Sequence, residues 1–160
     1  MKLVNATKII AASAVCMVAL PALSQSVKAD GPVHAQGAWV RATVAGQKST
    51  GAFMRLTATS PTRLVGVSSP VAGLAEVHEM KMNGNVMTMR EAPVIDLPAG
   101  KAVDFRSGGY HLMLMDLKQP LLAGSTVALT LKFSDAEGVK RTLELAVPVS
   151  KLAPAAAAAH

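Results

Sequence analysis

The sequence predicts an all-β domain, either an antiparallel β-sandwich or a Greek-key barrel. From about Ala38 onward, apolar and polar residues alternate with a period of two, which is typical of strands that bury one face. Glycine, proline and asparagine separate these short runs, and no stretch keeps a helical period of 3.6 between capping residues. About nine short strands separated by turns favour a sandwich or a barrel.

The clearest element is a hairpin near the C-terminus. Every second residue is apolar from Val127 to Phe133 and again from Leu143 to Val149, and the turn falls between Asp135 and Gly138. The earlier runs show the same spacing less regularly. They predict strands at 38–43, 51–58, 62–68, 75–82, 86–90, 101–105 and 110–117.

The two ends of the chain are predicted to lie outside this domain. Residues 1–29 begin with lysines, continue with an apolar stretch of about 15 residues and end in small residues, as secretory signal peptides do. That stretch is short against the ~20 residues of a membrane-spanning helix, so we expect cleavage after Ala29, or alternatively after Ser24. Residues 30–37 are predicted to be flexible, 38–150 to form the domain, and 151–160 to be a disordered alanine-rich tail.

Cleavage of the signal peptide limits the kinds of functional site that the mature chain can form. Cys16, the only cysteine, leaves with the signal peptide, so disulfides, iron–sulfur clusters and multi-thiolate zinc sites are excluded. Cys16 also lacks the preceding leucine and small residues of a lipid-modified cysteine, so we expect no lipid there. Removing three lysines lowers the net charge from +6 to +3, and no basic cluster remains for nucleic acid. No catalytic Ser/His/Asp or Cys/His set is visible, so an enzyme is not expected.

Methionine is over-represented, with nine residues against five aromatic ones. Two histidines, His78 and His111, lie in or beside a window of 36 residues that contains six methionines: Met80, Met82, Met87, Met89, Met113 and Met115. Only Met54 of the mature chain lies outside this window, and we expect it in the core. Alternation puts His78, Met80 and Met82 on one strand face and Met87 and Met89 on one face of the next strand.

A two-residue loop at Asn83-Gly84 would set the pairing of these strands. It predicts Met80 opposite Met87 and His78 opposite Met89, with Cβ atoms about 4.5–5.5 Å apart. His111 and Met113 share a face of a later strand. If that strand packs nearby, two imidazoles and two thioethers converge.

The imidazole and thioether donors indicate which metal ion such a site would bind. Thioethers are soft ligands that favour Cu(I), and zinc, calcium and magnesium are disfavoured. Without a thiolate, a blue-copper electron-transfer site is excluded. Methionines on strands are more often core filler than ligands, so we assign the other four in the window, Met80, Met82, Met87 and Met115, first to packing around the site and second to coordination.

Ten residues separate His78 from Met89, twenty-one separate Met89 from His111, and one separates His111 from Met113. This spacing resembles the copper-binding signature of the PCuAC family of periplasmic copper chaperones. The likeness extends from about Trp39 to Val149 and includes Val77-His78-Glu79-Met80, Val86-Met87-Thr88-Met89-Arg90, Gly108-Gly109-Tyr110-His111-Leu112-Met113-Leu114-Met115 and Leu117-Lys118-Gln119-Pro120-Leu121.

This resemblance implies a cupredoxin-like barrel that binds Cu(I) through those four residues and delivers it toward the dinuclear copper centre of cytochrome c oxidase. We also expect a monomer in the periplasm, with copper, a copper-acceptor protein and other periplasmic copper chaperones as partners and no stable membrane insertion. Some family members carry a C-terminal extension rich in His and Met, whereas this tail offers only His160. His34 is a weak auxiliary candidate.

Two alternatives remain at this point. The protein could be a periplasmic copper buffer without a dedicated acceptor, which shares the site. It could also be a secreted β-sandwich that uses its methionine face to bind a partner without metal.

Overall fold

Ten β-strands build the part of the chain that the structure, a computed structural model, describes, which is residues 31–154. The predicted signal peptide, Cys16 and the tail from residue 155 to His160 lie outside the described residues. The strands are β1 (Val33–Arg41), β2 (Ser49–Ala58), β3 (Thr62–Ser68), β4 (Ala72–Asn83), β5 (Val86–Glu91), β6 (Ile95–Leu97), β7 (Ala102–Phe105), β8 (Tyr110–Leu117), β9 (Thr126–Asp135) and β10 (Lys140–Ser150).

The prediction of an all-β fold is confirmed, since residues 31–154 contain no helix. It follows that no helix in this range is long and apolar enough to cross a membrane. The strands form one mixed sheet in the order β5-β4-β8-β7-β2-β1-β10-β9-β3-β6, with a further pairing of β8 and β2. Most pairs are antiparallel as expected, but β1 pairs with β10, and β7 with β8, in parallel.

The N-terminal strand begins earlier than the sequence predicts. Residues 33–37, expected to be flexible, form the first half of β1, where Val33 faces Ala58 and Gln36 faces Arg55 of β2. A bulge follows Gln36, and Gly37 adopts a φ of 59° there, which glycine does without a Cβ clash. Because the bulge interrupts the period-two pattern, the alternation becomes visible only from Ala38.

The C-terminal hairpin is confirmed in its predicted register. Leu131 faces Leu143, and Leu129 faces Leu145, so the apolar residues of both strands share one face. That face belongs to a single core that draws on both halves of the sheet, including Leu56, Leu64, Leu112, Leu129 and Leu131, each 0% exposed. Burying each such leucine contributes about 1.5–3 kcal/mol. Met54 belongs to this core, as expected.

Strand β4 lies between β5 and β8 and carries the residues of interest on its outer side. Its inner side is anchored, because Val77 faces Leu112 and Ala75 faces Leu114 across the β4–β8 ladder, and Val77 and both leucines are buried. Beyond Val77 the β4–β5 hairpin extends to the edge of the sheet, where every residue of β5 is exposed. The buried residues of β4 and β8 therefore anchor this strand pair to the core, next to the exposed hairpin.

Candidate metal centre

The two histidines of the cluster face each other across β4 and β8. His78 and His111 are direct Cα partners in the antiparallel ladder, and their ring centroids lie 6.1 Å apart. The side chain of His78 is 13% exposed and His111 is 7% exposed, although both lie on the outer side of the sheet. The sequence placed these residues on suitable faces, and the structure brings them together.

Glu76 fixes the orientation of His78. The two residues lie two positions apart on one face of β4, and Nε2 of His78 is 2.9 Å from Oε2 of Glu76. A carboxylate only accepts hydrogen bonds, so Nε2 carries the proton and neutral His78 has its lone pair on Nδ1. That Nδ1 is buried and has no hydrogen-bond partner among the described residues. A buried nitrogen in this state matches the carboxylate–histidine–metal arrangement of metal sites.

His111 is oriented by a backbone carbonyl. Its Nδ1 lies 3.1 Å from the carbonyl oxygen of Gly109, which also accepts a hydrogen bond from the N–H of Met80 at 3.1 Å. Because a carbonyl accepts only, the proton of neutral His111 lies on Nδ1 and the lone pair on Nε2. Each imidazole therefore has one nitrogen held by an oxygen and the other able to bind a cation.

The two proposed methionine ligands occupy different surroundings. Met113 is half-buried in β8, opposite Glu76 on one side and Gly51 of β2 on the other. Met89 lies in the edge strand β5 and is 52% exposed. Both are diagonal neighbours of His78, but on opposite diagonals. Such neighbours are about 7–8 Å apart, which long side chains can span. Met89 is therefore the most exposed of the four proposed ligands.

The predicted register of the β4–β5 hairpin is wrong by two residues. Met80 faces Met89, Met82 faces Met87, and His78 faces Glu91. The loop is formed by Gly84 and Asn85, and Gly84 at its first position has a φ of 61°, as in a type II′ turn. A shift of two leaves every side chain on its predicted face, so the shared face of histidines and methionines persists.

The assignment of four methionines to packing holds only in part. Met80 and Met115 are half-buried on the outer face. Met82 and Met87, at the tip of the hairpin, are 55% and 51% exposed. At this exposure they fill no core.

Polar contacts on the opposite face hold the hairpin together. Arg90 donates two hydrogen bonds to Oε2 of Glu79, at 2.6 and 3.0 Å, across the β4–β5 ladder. The Arg90 guanidinium lowers the pKa of Glu79. Burial, and then the negative charge of Glu79, raise the pKa of Tyr110, which faces Glu79 from β8. These contacts connect the strand carrying Met89 to the core-anchored strands.

The outer face of β4, β5 and β8 suits a cation. By strand alternation it carries Glu76 and Glu91 but no lysine or arginine, whereas Lys81 and Arg90 lie on the other face. Within residues 31–154 no three His, Cys, Asp or Glu side chains are grouped to hold a metal. The other donors beside the two histidines on this face are thioethers, which favour soft ions. Glu76 was missed by sequence reasoning; its position two residues before His78 was the available signal.

The proposed ligands lie on the outer face of the sheet. A cavity of about 500 Å³ lies instead toward β1, β2 and β7, where Trp39, Phe53 and Arg106 line it together with residues 151–153. None of the four proposed ligands lines this cavity. His34, the auxiliary candidate, lies in β1 opposite Thr57 of β2, and β2, β7 and β8 separate it from β4. The structure therefore does not bring His34 to the cluster.

Comparison with known proteins gives consistent results. Residues 33–149 match the family described as putative lipoprotein LpqE-like. The putative lipoprotein Lxx21020 of Leifsonia xyli subsp. xyli is 37% identical over 137 residues, which cover 84% of this chain and 80% of that protein. The solution structure of CuI-DR1885 from Deinococcus radiodurans is 36% identical, with a TM-score of 0.60, and covers 80% of this chain and 85% of its own. The copper-bound PCuAC domain from PmoF2 is 25% identical, with a TM-score of 0.56, and covers 74% and 94%.

Proposed function

The chain belongs to the LpqE-like family and has the fold of PCuAC domains, and from this premise we propose that it is a copper chaperone that carries Cu(I) in the cell envelope. Copper is its cargo, and no covalent chemistry is required of the protein. The observation that carries the proposal is the facing pair His78 and His111. Each ring has one nitrogen held by an oxygen and one left for a metal, on a face rich in thioethers.

The proposed ligands are His78, Met89, His111 and Met113. Two imidazoles and two thioethers are all neutral, so the bound ion keeps its single positive charge, which Glu76 and Glu91 on the same face stabilise. This donor set favours Cu(I) over zinc or calcium. Met89 reaches the ion diagonally from an exposed strand.

Transfer proceeds by ligand exchange. Met89 is exposed in the edge strand β5, so a partner can approach the ion from this side while the two imidazoles hold it. Met89, the most exposed ligand, dissociates first and opens a coordination position for a thiolate of the partner. Thiolates are stronger ligands for Cu(I) than thioethers, so the ion moves toward the acceptor.

The proposed acceptor is the cytochrome c oxidase subunit with the dinuclear copper centre. An envelope location is supported by the family description and the Leifsonia relative, both named putative lipoproteins. We propose that the chain is exported to the periplasm, that its signal peptide is cleaved, and that it acts as a monomer. Cys16 lies outside the described residues, and the sequence around it favours cleavage without lipid attachment.

A transfer assay tests this function. The purified protein is loaded with one equivalent of Cu(I) under anaerobic conditions, mixed with the metal-free acceptor domain, and separated by ion exchange, and copper is measured in each fraction. We expect most of the copper in the acceptor fraction. Competition with a colorimetric Cu(I) chelator should show weaker binding by His111→Ala and Met113→Leu, by more than the roughly 10- to 100-fold typical of losing an outer-shell partner.

The matched control is Met115→Leu, which removes a thioether from the same face of the same strand two residues beyond Met113. It should bind and transfer copper as the unmodified protein does. Retention of Cu(I) in the presence of the acceptor would contradict delivery and indicate a copper buffer. No binding by the unmodified protein would leave the metal-free interaction module, and equal loss of binding in all three variants would contradict the proposed ligands.

A further inference from the structure

The tip of the β4–β5 hairpin carries three thioethers that the four-ligand site does not use. Met82 and Met87 face each other directly, and Met80 lies on the same face, two residues from Met82 and diagonal to Met87. Opposed Cβ atoms in such a ladder are about 4.5–5.5 Å apart and diagonal positions about 7–8 Å, so three flexible methionine side chains can bring their sulfurs to one point.

Packing does not account for Met82 and Met87. Met82 is 55% exposed and Met87 is 51% exposed, at the open edge of the sheet. Clusters of exposed apolar side chains are a feature of binding surfaces. Its position beside His78, two residues from Met80 on the same strand, suggests a connection to the metal site.

The electrostatic surroundings favour a cation. The outer face of β4 and β5 carries carboxylates at Glu76 and Glu91, and the positive side chains of the hairpin, Lys81 and Arg90, lie on the opposite face. Three thioethers without a charged or hard ligand make a site that selects a soft monovalent ion.

We infer that Met80, Met82 and Met87 form a second, weaker site for Cu(I), through which copper enters or leaves the His78–His111 centre. The inference rests on the proposed function for the identity of the ion. Met80 is the member of this second site that lies nearest to His78 on β4, so an ion can pass between the two sites by exchanging one thioether at a time. The more buried centre, with its two imidazoles, binds more tightly.

Titration with Ag(I), a soft monovalent ion that does not change oxidation state, tests this inference. The protein carries ¹³C-labelled methionine methyl groups and is followed by NMR. The first equivalent should shift the Met113 and Met89 methyl signals, and the second should shift those of Met80, Met82 and Met87. The double variant Met82→Leu with Met87→Leu should lose one of two equivalents, whereas Met115→Leu should keep both.

A second variant separates this site from the first. In His78→Ala with His111→Ala, the signals of Met80, Met82 and Met87 should still shift, now with the first equivalent. Saturation of the unmodified protein at one equivalent, with the Met82 and Met87 signals unmoved, would overturn the second site and leave the proposed function intact. Binding at the hairpin tip alone, with no shift of Met113, would instead support the second site and contradict the four-ligand centre.

Discussion

At the scale of single residues, the site depends on which nitrogen of each histidine is free. Glu76 holds Nε2 of His78 and the Gly109 carbonyl holds Nδ1 of His111, so the rings present different nitrogens to a metal. The sequence could predict the two histidines because strand alternation fixes their faces. It could not predict their orientation, which depends on partners that only the folded backbone positions.

Replacing Glu76 tests this orientation. Glu76→Gln keeps the shape and still offers an oxygen to Nε2–H, whereas Glu76→Ala removes the partner. We expect Cu(I) affinity to fall by about 10- to 100-fold in Glu76→Ala and less in Glu76→Gln. Chelator competition measures the affinity, and ¹⁵N NMR of the metal-free protein shows whether the His78 ring loses its preferred tautomer.

The control for this pair is Glu144→Ala, an exposed carboxylate on β10 that faces Thr130 of β9. It removes the same charge from the molecule at a distance from the site. If Glu76→Ala binds copper as tightly as Glu144→Ala does, Glu76 does not position His78.

At the scale of elements, the β4–β5 hairpin joins a core-anchored strand to an exposed one. The sequence predicts the hairpin and the faces of its residues. The predicted register differs from the observed one by two residues. Asn83-Gly84 and Gly84-Asn85 are both acceptable two-residue loops, and local propensity does not choose between them. The Glu79–Arg90 pair spans the observed rung and fits the register that forms.

Removing Arg90 should loosen β5 without unfolding the domain. In Arg90→Ala we expect faster amide exchange across Val86–Glu91, measured by NMR, and a loss of Cu(I) affinity of less than about fivefold, because exposed ion pairs contribute little. Since Arg90 lowers the pKa of Glu79, the pair persists at neutral pH and is lost as pH falls through that lowered value.

Arg141→Ala, which removes an exposed arginine from β10, is the control. It should leave both β5 exchange and copper affinity unchanged. Unchanged exchange in Arg90→Ala would show that backbone pairing alone positions Met89.

At the scale of the whole molecule, alternation predicted the class of fold and most of the strands. It missed β6, because Ile95–Leu97 is too short to show a period, and it missed the start of β1 because of the bulge at Gly37. The parallel pairing of β1 with β10 joins strands that lie far apart in the chain. Local patterns carry no information on such contacts, because they join residues that are distant in sequence.

The central claim concerns the whole molecule, since β4, β5 and β8 each contribute ligands to one ion. X-ray absorption at the copper edge, on the protein loaded with one equivalent of Cu(I), tests it most directly. We predict a shell of two imidazole nitrogens and two sulfurs, with one sulfur lost in Met89→Leu and one in Met113→Leu. A shell of sulfurs alone, or of imidazoles alone, would contradict the proposed centre.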